Sequence, residues 1–175
     1  MTRYVALLRG INVGGINIKM VDLARVFTQL EFENVKTVLA SGNVLFDSNS
    51  TNVAALKKQI ETALNTEFGY EAWVFVLDTP ALKAIVDNYP FDPDHEGWHS
   101  YAIIASDPAV LDELASLSDQ LDPNLEQIGV GDGVLYWEVE KGMTLKSVVG
   151  KYTGKPKFKA FTTTRNLNTL NKLLR

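Results

Sequence analysis

The sequence predicts an α+β protein made of two tandem units, each an antiparallel sheet with its helices on one face. Short apolar runs of strand length alternate with stretches of helical period, and in the first half they follow the order β-α-β-β-α-β. The same order can be read in the second half, and 175 residues at 46% hydrophobic content suffice for one full-sized core or two small ones. That order is the split βαβ, or ferredoxin-like, plait. Right-handed crossovers set its first and second strands parallel, with the third running the opposite way between them. The halves share no repeated sequence, so the duplication rests on element order.

Residues 4–8 form a continuous apolar run closed by Gly10, the pattern of a buried strand. Met20, Leu23, Val26, Phe27 and Leu30 repeat at helical spacing. Residues 35–40 predict the second strand and 44–46 the third. Ser41, Gly42 and Asn43 form the turn between them, because Gly and Asn tolerate positive φ. Ser50, Thr51 or Asn52 can cap a helix carrying Val53, Leu56, Ile60, Leu64 and Phe68, and Gly69 suits its end. Residues 71–77, aromatic and β-branched, predict the fourth strand and close a first plait over 1–78. Thr79 caps a linker helix over 80–88 with Pro80 in its first turn, and an acidic loop completes a connection over 79–98. The second plait, 99–175, opens with a strand over 100–105 and a helix from Asp107 and Pro108 to Leu117. A hairpin of 126–130 and 134–140 follows, then a short helix over 144–151. A strand over 157–162 and a basic helix over 164–174 end the chain.

Basic and acidic residues, 17 and 21 in number, are unevenly placed. Residues 141–175 hold nine basic residues and no acidic one, leaving eight basic and all 21 acidic residues in 1–140. Such segregation can steer an anion to the tail or dock the tail on its own acidic body; docking is the preferred reading. The absence of cysteine excludes disulfides, thiolate metal sites and Cys nucleophiles. No apolar run approaches the ~20 residues of a membrane helix. With no signal-peptide pattern at the start, a cytoplasmic location away from the membrane is the expectation.

In this plait the end of the first strand and the turn between strands two and three open on the same edge of the sheet. The loop from Arg9 through Gly10, Asn12, Gly14, Gly15 and Asn17 to Lys19 is therefore expected beside Ser41, Gly42 and Asn43. Three glycines let backbone N–H groups turn outward, and the following helix presents its N-terminus there, which suits an anion. Arg9 and Lys19 would supply positive charge, with Asn12, Asn17, Ser41 and Asn43 as neutral donors and acceptors. The spacing is neither a G-x-x-x-x-G-K-[ST] phosphate loop nor G-x-G-x-x-G. An Asn-stitched connection with no ligand uses the same residue types.

Residues 7–15, Leu-Leu-Arg-Gly-Ile-Asn-Val-Gly-Gly, are followed by Met20 and Leu23, and then by Ser41-Gly42-Asn43-Val44 before Phe46. Together they closely resemble the bacterial domain-of-unknown-function family 1697, and Thr163-Thr164-Arg165-Asn166 with Asn168-Thr169 looks like its closing signature. The resemblance spans essentially the whole chain. It implies two ferredoxin-like subdomains in a cytoplasmic protein, and it implies no activity and no catalytic residues. The chain departs from the family pattern at three places. Glu31 stands where the family usually has Gly, so the helix reaching Leu30 must end without a glycine cap or in a different geometry. Ala40 replaces a common Gln, and Leu167 a Trp, which removes two groups that could have served binding.

Arg165, in its Thr-Thr-Arg-Asn context, reads as the start of a helix capped by Thr163 or Thr164. An ion pair with an acidic surface is its ordinary use; the functional one is to reach an anion held by the glycine loop.

Other signals are set aside. His95-Glu96-Gly97-Trp98-His99 matches H-E-x-x-H, but zinc chemistry needs both histidines on one helix face. Pro90, Pro93 and Gly97 oppose a helix, and a strand follows, so no metal site is expected. Asp92, Asp94 and Glu96 read as a solvated acidic loop. Gly129, Gly131 and Gly133 belong to a hairpin, and Trp73, Phe75, Tyr136 and Trp137 to the cores. An RNA-recognition sheet needs basic and aromatic residues on its third strand, whereas Val44-Leu45-Phe46 offers a single aromatic.

The expectation is a protein holding a small anionic ligand, bearing phosphate or carboxylate, at Arg9, Gly10, Asn12, Gly14, Gly15, Asn17, Lys19, Ser41, Gly42 and Asn43, with Arg165 as a further candidate. No cofactor is implied. No residue there is an evident base, so catalysis would need Asp22 or a base from the second plait, and the sequence leaves open whether the protein is an enzyme. One alternative is a protein-interaction module that pairs with a partner or forms a homodimer. The other is a nucleic-acid accessory using Lys151, Lys155, Lys157, Lys159 and Arg165, which the acidic body disfavours.

Overall fold

The computed structural model describes residues 1–9, 17–39, 42–158 and 160–175. It contains two compact units, Met1–Leu82 with Lys172–Arg175 and Lys83–Asn171. Each carries a four-stranded antiparallel sheet. In the first, β1 (Thr2–Arg9) is followed by α1 (Met20–Gln29), β2 (Glu33–Thr37), β3 (Asn43–Ser48), α2 (Val53–Phe68) and β4 (Trp73–Asp78). The strands lie in the order β2-β3-β1-β4, with every neighbouring pair antiparallel. β1 and β2 therefore run parallel with β3 reversed between them, as the plait requires.

α3 (Thr79–Asp87) leads on to β5 (Trp98–Ala105), α4 (Pro108–Ala115), β6 (Glu126–Val130) and β7 (Val134–Glu140). α5 (Val148–Thr153), β8 (Thr162–Asn166) and α6 (Leu167–Leu173) complete the chain. The second sheet has the order β6-β7-β5-β8, the same topology again.

In the first unit, Tyr4, Ala6 and Leu8 face a core shared with Phe27, Phe46 and Ile60. Val5 and Leu7 alternate to the opposite face and are also buried, which explains the unbroken apolar run of β1. Each such Leu or Phe contributes roughly 1.5–3 kcal/mol by leaving water. α2 ends as its residues dictate. The Asn52 side chain accepts from the Ala55 N–H at 3.0 Å, and Gly69 closes it in the left-handed region at φ 65°.

The second core gathers Ile103, Leu135, Trp137 and Val139 against Leu114 and Phe158. A charged residue completes it. Glu126, 3% exposed, accepts from Trp137 Nε1 at 3.2 Å and from the backbone N–H groups of Val148 and Val149 at 2.9 and 3.3 Å. Its carboxylate thus satisfies the first turn of α5 from inside the fold.

Several boundaries differ from the sequence expectation. β2 ends at Thr37 rather than residue 40, because Leu39 turns into the left-handed region at φ 61°. Asp78, not Thr79, accepts the Ala81 N–H at 2.8 Å at the start of α3. α4 stops at Ala115 and tightens into a 3-10 turn over Ser116–Gln120. α5 begins at Val148, where Ser147 accepts from the Gly150 N–H. The largest correction concerns the last strand, which spans Thr162–Asn166 and not 157–162. Pro156–Phe158 form a 3-10 turn that sends Phe158 into the core, and the β-branched threonines continue β8 beside β5. Arg165 is therefore a strand residue, and Asn166 rather than Thr163 or Thr164 caps the closing helix by accepting from the Asn168 N–H at 2.9 Å. Among the described residues no helix is long and apolar enough to cross a membrane.

Candidate functional site

Strand register builds the site. Leu7 of β1 stands opposite Asn43 of β3, and one residue on the Leu8 N–H donates to the Gly42 carbonyl at 2.8 Å. The end of β1 and the turn between β2 and β3 therefore meet at one rim, with Arg9 the last residue of β1.

The turn is tightly stitched. The Val38 N–H donates to the Asn43 carbonyl at 2.9 Å, and Asn43 Nδ2 returns to the Val38 carbonyl at 2.9 Å. Asn43 is wholly buried. Gly42 has φ 84° and Leu39 φ 61°; for leucine that conformation costs roughly 1–2 kcal/mol. Strain of this kind concentrates where the surrounding structure needs a particular backbone path.

Arg9 is half-buried, opposite Trp73 of β4. Burial pushes its guanidinium below its ordinary value, since a charge shielded from water is less favoured. Asn17 and Lys19 are exposed just ahead of α1. The Lys19 carbonyl accepts from the Asp22 and Leu23 N–H groups, while its side chain makes no cap bond. Gly10, Asn12, Gly14, Gly15 and Ser41 lie outside the described residues, as do Ala40 and Lys159. Arg9 and Lys19 are cationic and Asn17 is a neutral amide, so none of them is an evident base, while the buried Asn43 amide is already committed to the Val38 carbonyl. Asp22, the one acid considered as a base, lies 3.7 Å from Arg25 in the first turn of α1.

Arg165 belongs to β8 of the second unit. It is 8% exposed, and its Nη1 donates to Thr163 Oγ1 at 2.7 Å and to the Thr164 carbonyl at 3.0 Å. In the basic tail, Lys157 pairs with Glu113, and Lys155 Nζ sits 3.8 Å above the Tyr152 ring. Both lysines thus dock on their own unit.

His95 and His99 do not share a helix: His99 lies in β5, and His95 precedes it in a turn. Among the described residues no group of three or more His, Asp or Glu is placed to hold a metal ion. The same segment nevertheless takes part in a pairing that sequence reasoning missed, His95 with Glu138 at 3.1 Å. The available signal was Glu138 itself, a carboxylate inside the run 134–139, whose other residues are apolar or aromatic and which is buried throughout.

A family described as "Protein of unknown function (DUF1697)" matches residues 1–136. Among solved structures, the conserved bacterial protein SP0830 from Streptococcus pneumoniae is similar over 99% of both chains, at 25% identity and a TM-score of 0.79. A structure described as an unknown protein from Galdieria sulphuraria matches over 94% of this chain and 96% of its own at 10% identity, with a TM-score of 0.29. No curated protein matches the chain.

Proposed function

The chain belongs to the DUF1697 family of unknown function, and from that premise we propose that it binds a small anionic ligand, bearing phosphate or carboxylate, at the rim where β1 meets the turn between β2 and β3. The observation that carries this reading is the Leu8–Gly42 hydrogen bond. It fixes a half-buried arginine next to a strained, side-chain-stitched turn. A guanidinium partly shielded from water attracts an anion more strongly than one in open solvent, and a preformed turn avoids the entropy of ordering donors on binding. In this reading Gly42 and Asn43 contribute the turn, and Asn17 and Lys19, exposed just ahead of α1, contribute an amide and a positive charge. Binding without chemistry is the form these groups support.

Thermal unfolding with inorganic phosphate, nucleotides, phosphosugars and carboxylates at constant ionic strength tests it. A ligand present at about 100 times its Kd stabilises the fold by about 2.7 kcal/mol. The expected result is a raised Tm with at least one anion, abolished in Arg9→Ala. Silence across the panel overturns the proposal and leaves a protein-interaction module as the reading.

A further inference from the structure

The second unit contains a pocket of about 410 Å³ beside the turn that enters β5, lined among others by His95, Trp98, Ser100, Lys141, Asn166 and Asn168. Small-ligand sites run from roughly 300 to 1,000 Å³. It shares no residue with the rim of the first unit.

Its organising group is Glu138. The side chain is 5% exposed on β7, directly across from Ser100 of β5. Burying a carboxylate is costly, and an apolar residue would serve the sheet as well or better. Its partner is His95, whose Nδ1 lies 3.1 Å from Oε2. A carboxylate only accepts, so Nδ1 carries the hydrogen, and in the neutral ring Nε2 remains as an acceptor. The imidazole is fixed a second time by stacking on Trp98, with centroids 4.7 Å apart and planes 10° from parallel. The His95 side chain is still 40% exposed. An aromatic base held from two sides, yet open to a cavity, is preorganised for a ligand.

The lining indicates the ligand's chemistry. Asp94 and Glu96 are exposed at the pocket and outnumber Lys141, so a strongly anionic ligand would meet net repulsion. The lining mixes acceptors (His95 Nε2 and the exposed carboxylates) with donors (Lys141 Nζ and the side-chain amides of Asn166 and Asn168). Hydroxyl groups, which donate and accept at once, match such a mixture. We propose that this pocket is a second ligand site, for a neutral hydroxyl-rich small molecule of monosaccharide or polyol size, with His95 accepting a ligand hydroxyl and Glu138 positioning the ring.

The test uses the ¹⁵N-labelled 175-residue chain, in which His95 is assigned against His99, the second of two histidines, with the His95→Ala variant. Glucose, galactose, mannose, ribose, glycerol and sorbitol are titrated in turn to tens of millimolar, with glucose 6-phosphate as the charged comparison. The ligand-free spectrum is expected to show His95 with its proton on Nδ1. At least one neutral compound is expected to shift His95 Nε2 and the Trp98 indole, and to bind about tenfold more weakly to His95→Ala. Glu138→Gln is expected to disturb the imidazole tautomer and weaken binding, and Lys146→Ala to bind normally. His95 is half exposed, so its variant keeps the test open even where Glu138→Gln fails to fold. No response from any neutral compound, a response to the phosphate ester alone, or unchanged binding in His95→Ala would each overturn the proposal.

Discussion

Glu61 accepts the backbone N–H of Val74 at 2.9 Å, although one lies in the middle of α2 and the other in the edge strand β4. Lys57, one turn earlier, completes the clamp: its Nζ donates to Glu61 at 2.6 Å and to the Val74 carbonyl at 2.9 Å. The outward backbone groups of Val74 are thereby occupied, leaving less of this edge open to another strand. Glu61→Ala is expected to cost about 1–2 kcal/mol in chemical unfolding and to increase self-association in sedimentation velocity. An unchanged midpoint with no new association contradicts the clamp.

The end of α1 gives a prediction of opposite sign. Glu31 occupies the left-handed region at φ 67°, with its N–H on the Thr28 carbonyl at 3.0 Å. A β-carbon is strained there, and glycine is not. Glu31→Gly is expected to stabilise the fold by roughly 0.5–1 kcal/mol, although glycine substitutions usually destabilise helical chains. A lower Tm in that variant contradicts this account of the helix end.

Asp47 predicts a pH dependence. Burial alone would raise its carboxyl, but hydrogen bonds from Asn34 Nδ2 at 2.8 Å and Arg3 Nη1 at 3.1 Å, with the Arg3 charge, bring it below its ordinary value. A carboxyl lowered in the folded state adds stability that is present above its unfolded value and lost as pH falls through the folded one. Unfolding free energy is therefore expected to decline as pH drops below the usual carboxylate range, and Asp47→Asn to reduce that decline. Identical acid profiles for the two proteins contradict it.

Among the described residues the buried hydroxyl of Tyr70 has no hydrogen-bond partner, and burial pushes its phenol up to about 12. Removing a polar group that makes no bond removes only its desolvation cost. Tyr70→Phe is expected to be neutral or up to ~1 kcal/mol more stable, and a clear loss of stability would reveal a bond at that oxygen.

What could be read before the fold was known follows the physics of each element. α2 was legible throughout, because Asn52, the apolar period and Gly69 act locally and agree. The three successive threonines before Arg165 misled, since threonine serves both as a helix cap and as a strand former; pairing with β5 decides, and that contact is distant in sequence. The meeting of β1 with Gly42 and Asn43 was legible from topology, because a right-handed crossover leaves few alternatives. His95 and Glu138 could not be joined from sequence, since their contact depends on the register that places Trp98 opposite Glu140. Pro90, Pro93 and Gly97 correctly argued against a helix through His95 and His99. They said nothing about the pocket their turn helps to form.

Anion binding at the rim is read most directly by a phosphate titration followed through the backbone amides. Saturable shifts are expected at Leu8, Arg9, Gly42 and Asn43, and they are expected to vanish in Arg9→Ala. Amides that stay still at the rim, or shifts confined to the lysines between 151 and 157, would contradict it.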